Sequence, residues 1–597
     1  MLKVIQHNNK LIVGLSVFII LSVMGGMQIF TALNESQTVD EGAHLGAGYS
    51  YLIKRDFRLN KEHPPLIKEI SAFPLLFFKK LNNIFNDDSW VRADQWQFAR
   101  NLIYKSGENG DLIVFLGRLP NILISVLLGL FIFAWSRRLF GITGGFISLI
   151  FYSFDSNFLA HGHYITTDVG VTFFILLTFY FFCKYLNKVN LKDFVLFSLF
   201  FSLAQVSKFS AILLIPILLF ILFWILLNKF FRTQLNKIFS NWQFKIILFL
   251  LIVLSVILIS YSFESKKLID NPAVNNFFNS QENILQKIND PIGQNKFNQL
   301  NKIIGRESAL GKVVYSFSKN VPVPGIAFIE GAFQLLIHNE AGHTSYLFGN
   351  YSRFGWWYYF PAALIIKTTL PFLILLILLI IHSFYYLIKN SKYISYLSVK
   401  KNEITVLIIV PLLYFIFSMF SNLNLGVRHI LPIFPFIYIL FGSVVNLKIF
   451  NKKIIKNFIV VLLFFHIFTT LINFPNFTSY INELFGGPKN GYKYLVDSNL
   501  DWGQDLKKLK KYMTEKNINN VCFSYFGQAE ISYYKIDYRY LPGIDDQEGI
   551  ENINCVVAIS ITSLTSEDRK YSWLLDLELD DYIGFSIFIY DLRNLKK

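Results

Sequence analysis

The chain has 597 residues, 53% of them hydrophobic and 17% aromatic, with 63 phenylalanines and a mean hydropathy of +0.43. Apolar runs such as Leu123–Phe133, Phe173–Phe182 and Phe372–Ile381 have no polar face, which suits lipid and excludes a soluble enzyme. The formal net charge of +16 does not point to nucleic acid: Lys and Arg cluster in short loops between apolar runs, and no Gly-rich phosphate loop or aromatic-basic module stands out.

In chain order, eleven segments meet the requirement of roughly 20 apolar residues for a spanning helix. They are approximately 11–31, 112–134, 142–158, 165–187, 192–206, 209–227, 245–262, 361–388, 404–420, 430–447 and 457–473. The first resembles a signal peptide only in position; it is too long, lacks a small-residue cleavage site and reads as a retained anchor. Positive charge alternates with this count. Arg137 and Arg138, Lys184 to Lys192, Lys229 to Lys237, Lys389 to Lys401 and Lys448 to Lys456 fall on one side, with Lys3 and Lys10 of the N-terminal tail. That side is predicted to be the cytoplasm.

The expected architecture is therefore a polytopic α-helical membrane protein of about eleven transmembrane helices, with a membrane domain over 1–473. Its large outer loops are 32–111 and 263–360. The first contains Ile70–Phe78, too short to span and predicted to lie at the interface; the second ends in the aromatic belt FGWWYYFP (354–361). Residues 474–597 are predicted to form a small extracytoplasmic α/β domain, with helices at about 502–516 and 567–576 and strands at 520–526, 554–561 and 583–590. Cys522 and Cys555 fall in two of those strands, so a disulfide between them is open; Cys183 reads as a buried hydrophobe.

Five polar motifs interrupt this pattern on the outer side. TVDEGAHLGAGY (38–49) sets Asp40 beside Glu41 where the chain leaves the first span. On a helix adjacent residues point about 100° apart, so the two acids need separate tasks, and the plainer reading is first-turn charge. KEHPPLIKEI (61–70) fixes Glu62, His63 and Lys68 near a helix start through two prolines. HGHYITTDVG (161–170) puts Asp168 at a helix mouth with His161 and His163, whose i, i+2 spacing makes a poor metal pair. NLNLGVRHILP (422–432) carries Arg428 and His429; a guanidinium forks onto phosphate oxygens, and this side is the wrong one for a topology signal. In DSNLDWGQDL (497–506), Ser498 or Asn499 and Asp501 fit helix capping, whereas Trp502, Gly503 and Gln504 are left unexplained by it.

In this order the acidic pair, the HPPL turn and the TTDVG helix mouth resemble glycosyltransferase family 39. That family includes the protein O-mannosyltransferases and lies close to the bacterial aminoarabinose transferases, with the GT-C membrane fold. GHTSYLFGNYSRFGWWYYFPAALIIKTTLP (342–371), LGVRHILPIFPF (425–436) and SNLDWGQDL (498–506) look like a bacterial branch of the superfamily. The resemblance runs from about 35 to 510. It implies transfer, with inversion, of a sugar from a polyprenyl-phosphate carrier to an acceptor outside the cytoplasmic membrane. Asp40 stands in the family's position for the general base, with Glu41 and Asp168 as companion catalytic residues. Arg428 is the first choice for the donor phosphate, followed by Lys68, Lys208, His63 and His429. The acceptor is left open among protein, lipid and glycan, and the β-trefoil insert of the fungal and animal enzymes is absent from 263–360. A divalent metal is a candidate cofactor, with Glu62 and His343 or His338 as its ligands. The alternative is a transporter or flippase of lipid-linked sugars, which should place ionisable groups near the bilayer midplane.

Overall fold

Among the described residues the eleven apolar segments are helical over most of their length, as expected where hydrocarbon leaves every backbone donor and acceptor to be satisfied within the segment, but they do not all form separate full spans. The computed structural model describes residues 2–594 except 228–239, 271, 280–297, 300, 303–304, 390–400 and 447–451. Lys229, Arg232, Lys237, Lys392, Lys400 and Lys448 of the charge pattern lie outside the described residues. Among those described, seven helices are long and apolar enough to cross a bilayer, eight if one bent pair counts as a span. Gly110–Ser153 contains two of the eleven segments, divided at Gly141, whose φ of 81° breaks the helix and suits glycine. Tyr359–Lys367 and Leu370–Ile381 meet at a 120° bend, and Leu191–Gln205 is shorter than a full span.

These helices place the polar motifs at one end of the bundle. Asp168 opens helix Asp168–Lys188 and Lys188 closes it, about 30 Å apart at 1.5 Å per residue. At the lysine-bearing end, Glu403 accepts from Trp135 Nε1 at 2.8 Å and pairs with Arg138. The chain after the first helix, Leu2–Asn34, turns at once into Val39–Lys54, which packs on Leu66–Ala72 and on Gln95–Tyr104. The apolar stretch expected at the interface is this Leu66–Ala72 helix followed by a 3-10 turn, Phe73–Phe77.

After residue 474 the chain first runs irregularly across the helix ends and then builds a five-stranded sheet. Its order is Tyr538–Tyr540, Val521–Ser524, Val556–Ser560, Ile587–Asp591, Asp581–Ile583. The first three strands are parallel to one another and the remaining pairings are antiparallel. Alternation with period 2 divides its side chains. Val557, Ile559 and Phe588 join the core shared with the membrane helices. Val556, Ala558 and Ile587 pack against Leu506, Leu509 and Met513 of helix Leu506–Glu515. The sheet is thus fastened to the helices through one face. Cys522 and Cys555 form a disulfide between its central strands.

The helix predicted over 567–576 is reduced to a 3-10 turn, Ser572–Asp576. Its first half is diverted by local bonds: the Asp568 carboxylate accepts from Ser566 Oγ at 2.6 Å and from Lys570 N at 3.1 Å, and Arg569 sits at φ 52°. Such side-chain competition for backbone donors is what disfavours Ser and Asp within helices.

Candidate functional site

The two adjacent acids separate as their helical positions require. Thr38 caps helix Val39–Lys54 in a capping box with Glu41, whose Oε2 accepts from Thr38 N at 2.8 Å. Glu41 is wholly buried. It also accepts from Arg118 Nε at 2.8 Å and Nη2 at 2.6 Å, and from Ile165 N at 3.0 Å. Burial by itself would raise its pKa, but Arg118 and the backbone donors hold it below the ordinary carboxylate value. Glu41 has no exposed surface and its oxygens are occupied by protein donors, the arrangement of an anchor for this turn. Arg118 spends its remaining donors on the carbonyls of Ala32, Glu35 and Ser36, at 2.7, 3.2 and 2.8 Å. It thereby fixes the turn that presents Asp40.

Asp40 points the other way, into a row of alternating charges. Its Oδ2 accepts from Arg428 Nη1 at 2.8 Å; Arg428 Nη1 lies 4.0 Å from Asp168 Oδ2, and Asp168 Oδ1 is 2.5 Å from Lys208 Nζ. The Asp40 side chain keeps 24% of its surface exposed, against 9% for Arg428 and 2% for Asp168. Asp40 is thus the accessible acid of the row. Arg428 Nε is buried with no hydrogen-bond partner, as are Nδ1 of His63 and of His161. Buried unsatisfied donors are costly in an ordinary core and mark a place where a ligand can complete them.

The remaining expected residues divide. His63 meets His44 edge to face at 5.1 Å between ring centroids. Burial first, then neighbouring His44 and Lys208, push its pKa well below the ordinary value, so it is neutral beside the cations. His429 stacks on Phe360 at 6.3 Å. Lys68 is bonded within the protein: its Nζ donates to Tyr51 Oη, Asn60 O and Asn60 Oδ1 at 3.0, 2.8 and 3.2 Å, and the residue is 1% exposed. All three ammonium donors are thereby occupied by protein acceptors. His163 turns to Glu35 at 3.0 Å while the His161 ring faces Trp502 at 6.0 Å, so the two histidines diverge. Glu62 lies 3.4 Å from His338, whose ring is 5.8 Å from that of His343. Among the described residues no three His, Cys, Asp or Glu side chains converge to hold a metal ion, and no step is assigned to one.

SNLDWGQ supplies what capping left unexplained: it ties the Asp40 turn to the Arg428 loop. Val39 N donates to Trp502 O at 3.1 Å, Ser36 N to Gln504 O at 2.9 Å and Ser36 Oγ to Gly503 O at 3.0 Å. On the other side Asn499 Oδ1 accepts from Val427 N at 2.9 Å, and Ser498 Oγ donates to Leu425 O. Gly503 has φ 83°, and a Cβ there would come within 2.8 Å of Gly527 Cα. The Trp502 ring lies 4.3 Å from the Arg428 guanidinium, a buried cation–π contact. Trp502→Leu is expected to loosen the Arg428 side chain and to weaken binding of a phosphate-bearing ligand there roughly tenfold. Unchanged binding would show that the ring does not position Arg428.

Sequence reasoning missed Arg118 and Lys367, although both interrupt apolar runs and so carried a signal. Lys367 Nζ, at the bend between Tyr359–Lys367 and Leu370–Ile381, donates to the carbonyls of Thr478, Tyr480 and Asn499 at 2.8, 2.7 and 2.6 Å.

The fold and site define a multi-pass membrane protein with a row of paired charges where several helix ends and the C-terminal segment converge. Comparison with known families gives one match: residues 112–260 fit the family model described as dolichyl-phosphate-mannose-protein mannosyltransferase. The resemblance read from the motifs is borne out over that segment, which holds Arg118, Asp168 and Lys208. Among solved structures, the chain is similar to ArnT from Cupriavidus metallidurans bound to undecaprenyl phosphate, at 11% identity and TM-score 0.47 over 96% of this chain and 97% of that one. It is also similar to ArnT from the same organism in the apo state, at 10% identity and TM-score 0.31 over 96% and 98%. A search of curated proteins found no match.

Proposed function

We propose that the chain is a glycosyltransferase that moves a sugar from a polyprenyl-phosphate-linked donor to an acceptor hydroxyl on the extracytoplasmic face of the cytoplasmic membrane. The observation that carries this reading is the Asp40–Arg428 pair, a partly exposed carboxylate on a guanidinium that has a further unpartnered Nε. The match over 112–260 supports the reaction class. A disulfide between Cys522 and Cys555 supports an oxidising, extracytoplasmic location for the sheet. The N-terminus is then cytoplasmic.

The donor is a phosphodiester with one negative charge, and its phosphate competes with Asp40 for Arg428. As the guanidinium turns onto the phosphate oxygens, Asp40 loses its partner and is free to accept a proton. The acceptor hydroxyl oxygen then attacks the anomeric carbon and the bond from that carbon to the phosphate oxygen breaks. The hydroxyl proton passes to Asp40, and the carrier leaves as polyprenyl phosphate with one more negative charge. Arg428 and Lys208 stabilise that developing charge, while Asp168 holds both cations in place. Attack opposite the leaving phosphate inverts the anomeric centre. In this scheme donor binding itself releases the base, which suppresses proton chemistry at an empty site.

The transporter reading calls for charges at mid-span. Asp168 instead opens its helix and Lys208 directly precedes the 3-10 turn that leads into the next one. Arg428→Ala tests the phosphate assignment. It is expected to raise the donor KM by roughly a hundredfold, since hydrogen bonds to charged groups contribute about 1.5–3 kcal/mol. Unchanged dependence on donor concentration would remove Arg428 from the phosphate site.

A further inference from the structure

A cavity of about 320 Å³ opens between the membrane helices and the C-terminal sheet. One wall is the hairpin Ser345–Leu347 and Asn350–Ser352, with Tyr346 and Tyr351 edge to face at 5.1 Å between ring centroids. Next to it is the turn after strand Val556–Ser560, carrying Ser563 and Glu567, whose carboxylate accepts from Thr344 Oγ1 at 3.4 Å. Its floor is shared with the site: Asp497 lines it, as does Leu425, which accepts from Ser498 in the clamp that holds the Arg428 loop. Burial raises the pKa of Asp497, Arg428 opposes this and Asp40 adds to it, so both site charges act on a residue of the cavity.

The lining selects by chemistry. Among the described residues that form it, the charged side chains are the carboxylates Asp497 and Glu567, and none is Lys or Arg. His343 also lines the cavity and Arg428 acts on Asp497 from the neighbouring row, but Arg428 is already paired with Asp40, so the lining itself offers an anionic headgroup two carboxylates and no Lys or Arg. Tyrosine rings beside hydrogen-bond acceptors suit a compact ring with an apolar face and several hydroxyl donors, and the volume lies at the low end of roughly 300–1,000 Å³ for small-molecule sites.

We propose that this cavity binds the acceptor, and that the acceptor is a sugar: an uncharged or amine-bearing pyranose at the end of a glycan. The proposal rests on the transferase reading above and names its acceptor class. The pyranose stacks on the tyrosine wall, its hydroxyls donate to Glu567 and Asp497, and the hydroxyl to be glycosylated leaves the cavity toward Asp40.

The test is equilibrium binding of tritiated methyl pyranosides, hexose and aminohexose forms, to the full chain in detergent, alongside sugar transfer to the same compounds. Wild-type protein is expected to bind a subset saturably. Tyr351→Ala and the cavity-filling Ser563→Trp should each weaken that binding roughly tenfold, with binding of undecaprenyl phosphate unchanged as the control for folding. Glu567→Gln, at an exposed position, should raise the acceptor KM with kcat retained. No saturable pyranoside binding, binding indifferent to both cavity variants, or displacement of the pyranoside by a Ser/Thr peptide or an anionic phospholipid would overturn the proposal. Pyranoside binding lost in the cavity variants, but without transfer in wild type, would leave the sugar pocket standing and overturn the transferase reading instead.

Discussion

Asp40→Asn is expected to lower sugar transfer by about 10²–10⁴-fold, the usual contribution of a positioned general base, with expression and membrane insertion intact. The amide keeps the shape of the side chain and can still accept one hydrogen bond from Arg428, so the charged row loses one charge and little geometry. Asp40 is also the most exposed of the four charges in the row, at 24% against 11% for Lys208, 9% for Arg428 and 2% for Asp168. Its replacement should therefore cost the fold little. Donor binding should persist or tighten, because Arg428 no longer has a competing carboxylate. A variant with full activity would remove the base assignment, and one that loses donor binding together with turnover would make Asp40 a binding residue.

Arg118→Met should be the most damaging single change to stability. It strands Glu41 as a buried carboxylate, and breaking a buried ion pair by removing one partner costs about 3–5 kcal/mol. It also leaves the carbonyls of Ala32, Glu35 and Ser36 without their donor. The thermal midpoint of detergent-solubilised protein measures the effect, and a clear fall is expected. Adding Glu41→Gln removes the stranded charge and should recover part of the loss, but not the three carbonyls. If Arg118→Met melts like wild type, the pair does not anchor the Asp40 turn.

How far the sequence reaches can be seen in particular residues. The apolar segments were legible because hydrocarbon demands helices, although among the described residues seven or eight of them, not eleven, are full spans. Asp40, Asp168, Lys208 and Arg428 were legible as charges at outer helix ends, and the structure brings all four into one row. Glu41 and Lys68 show what sequence does not separate: a charged residue near a site reads the same whether its partners are substrate or protein. Only the bonds to Arg118 and to Tyr51 and Asn60 tell them apart. Arg118 was overlooked inside an apolar run, where hydropathy averages a single arginine away although its partner must be found. Trp502, Gly503 and Gln504 resisted explanation because their contacts lie more than 400 residues away, with Ser36 and Val39. Spacing along the chain carries no trace of such contacts.

The most direct test supplies purified protein in lipid vesicles with a polyprenyl-phosphate-linked sugar labelled in the sugar, and follows both the glycosidic bond and the position of the lipid. The account predicts cleavage of the bond between anomeric carbon and phosphate, with label appearing on an acceptor, and cleavage that falls in Asp40→Asn and Arg428→Ala. Movement of the intact lipid-linked sugar across the bilayer without cleavage, or cleavage equal in all three proteins, would contradict it.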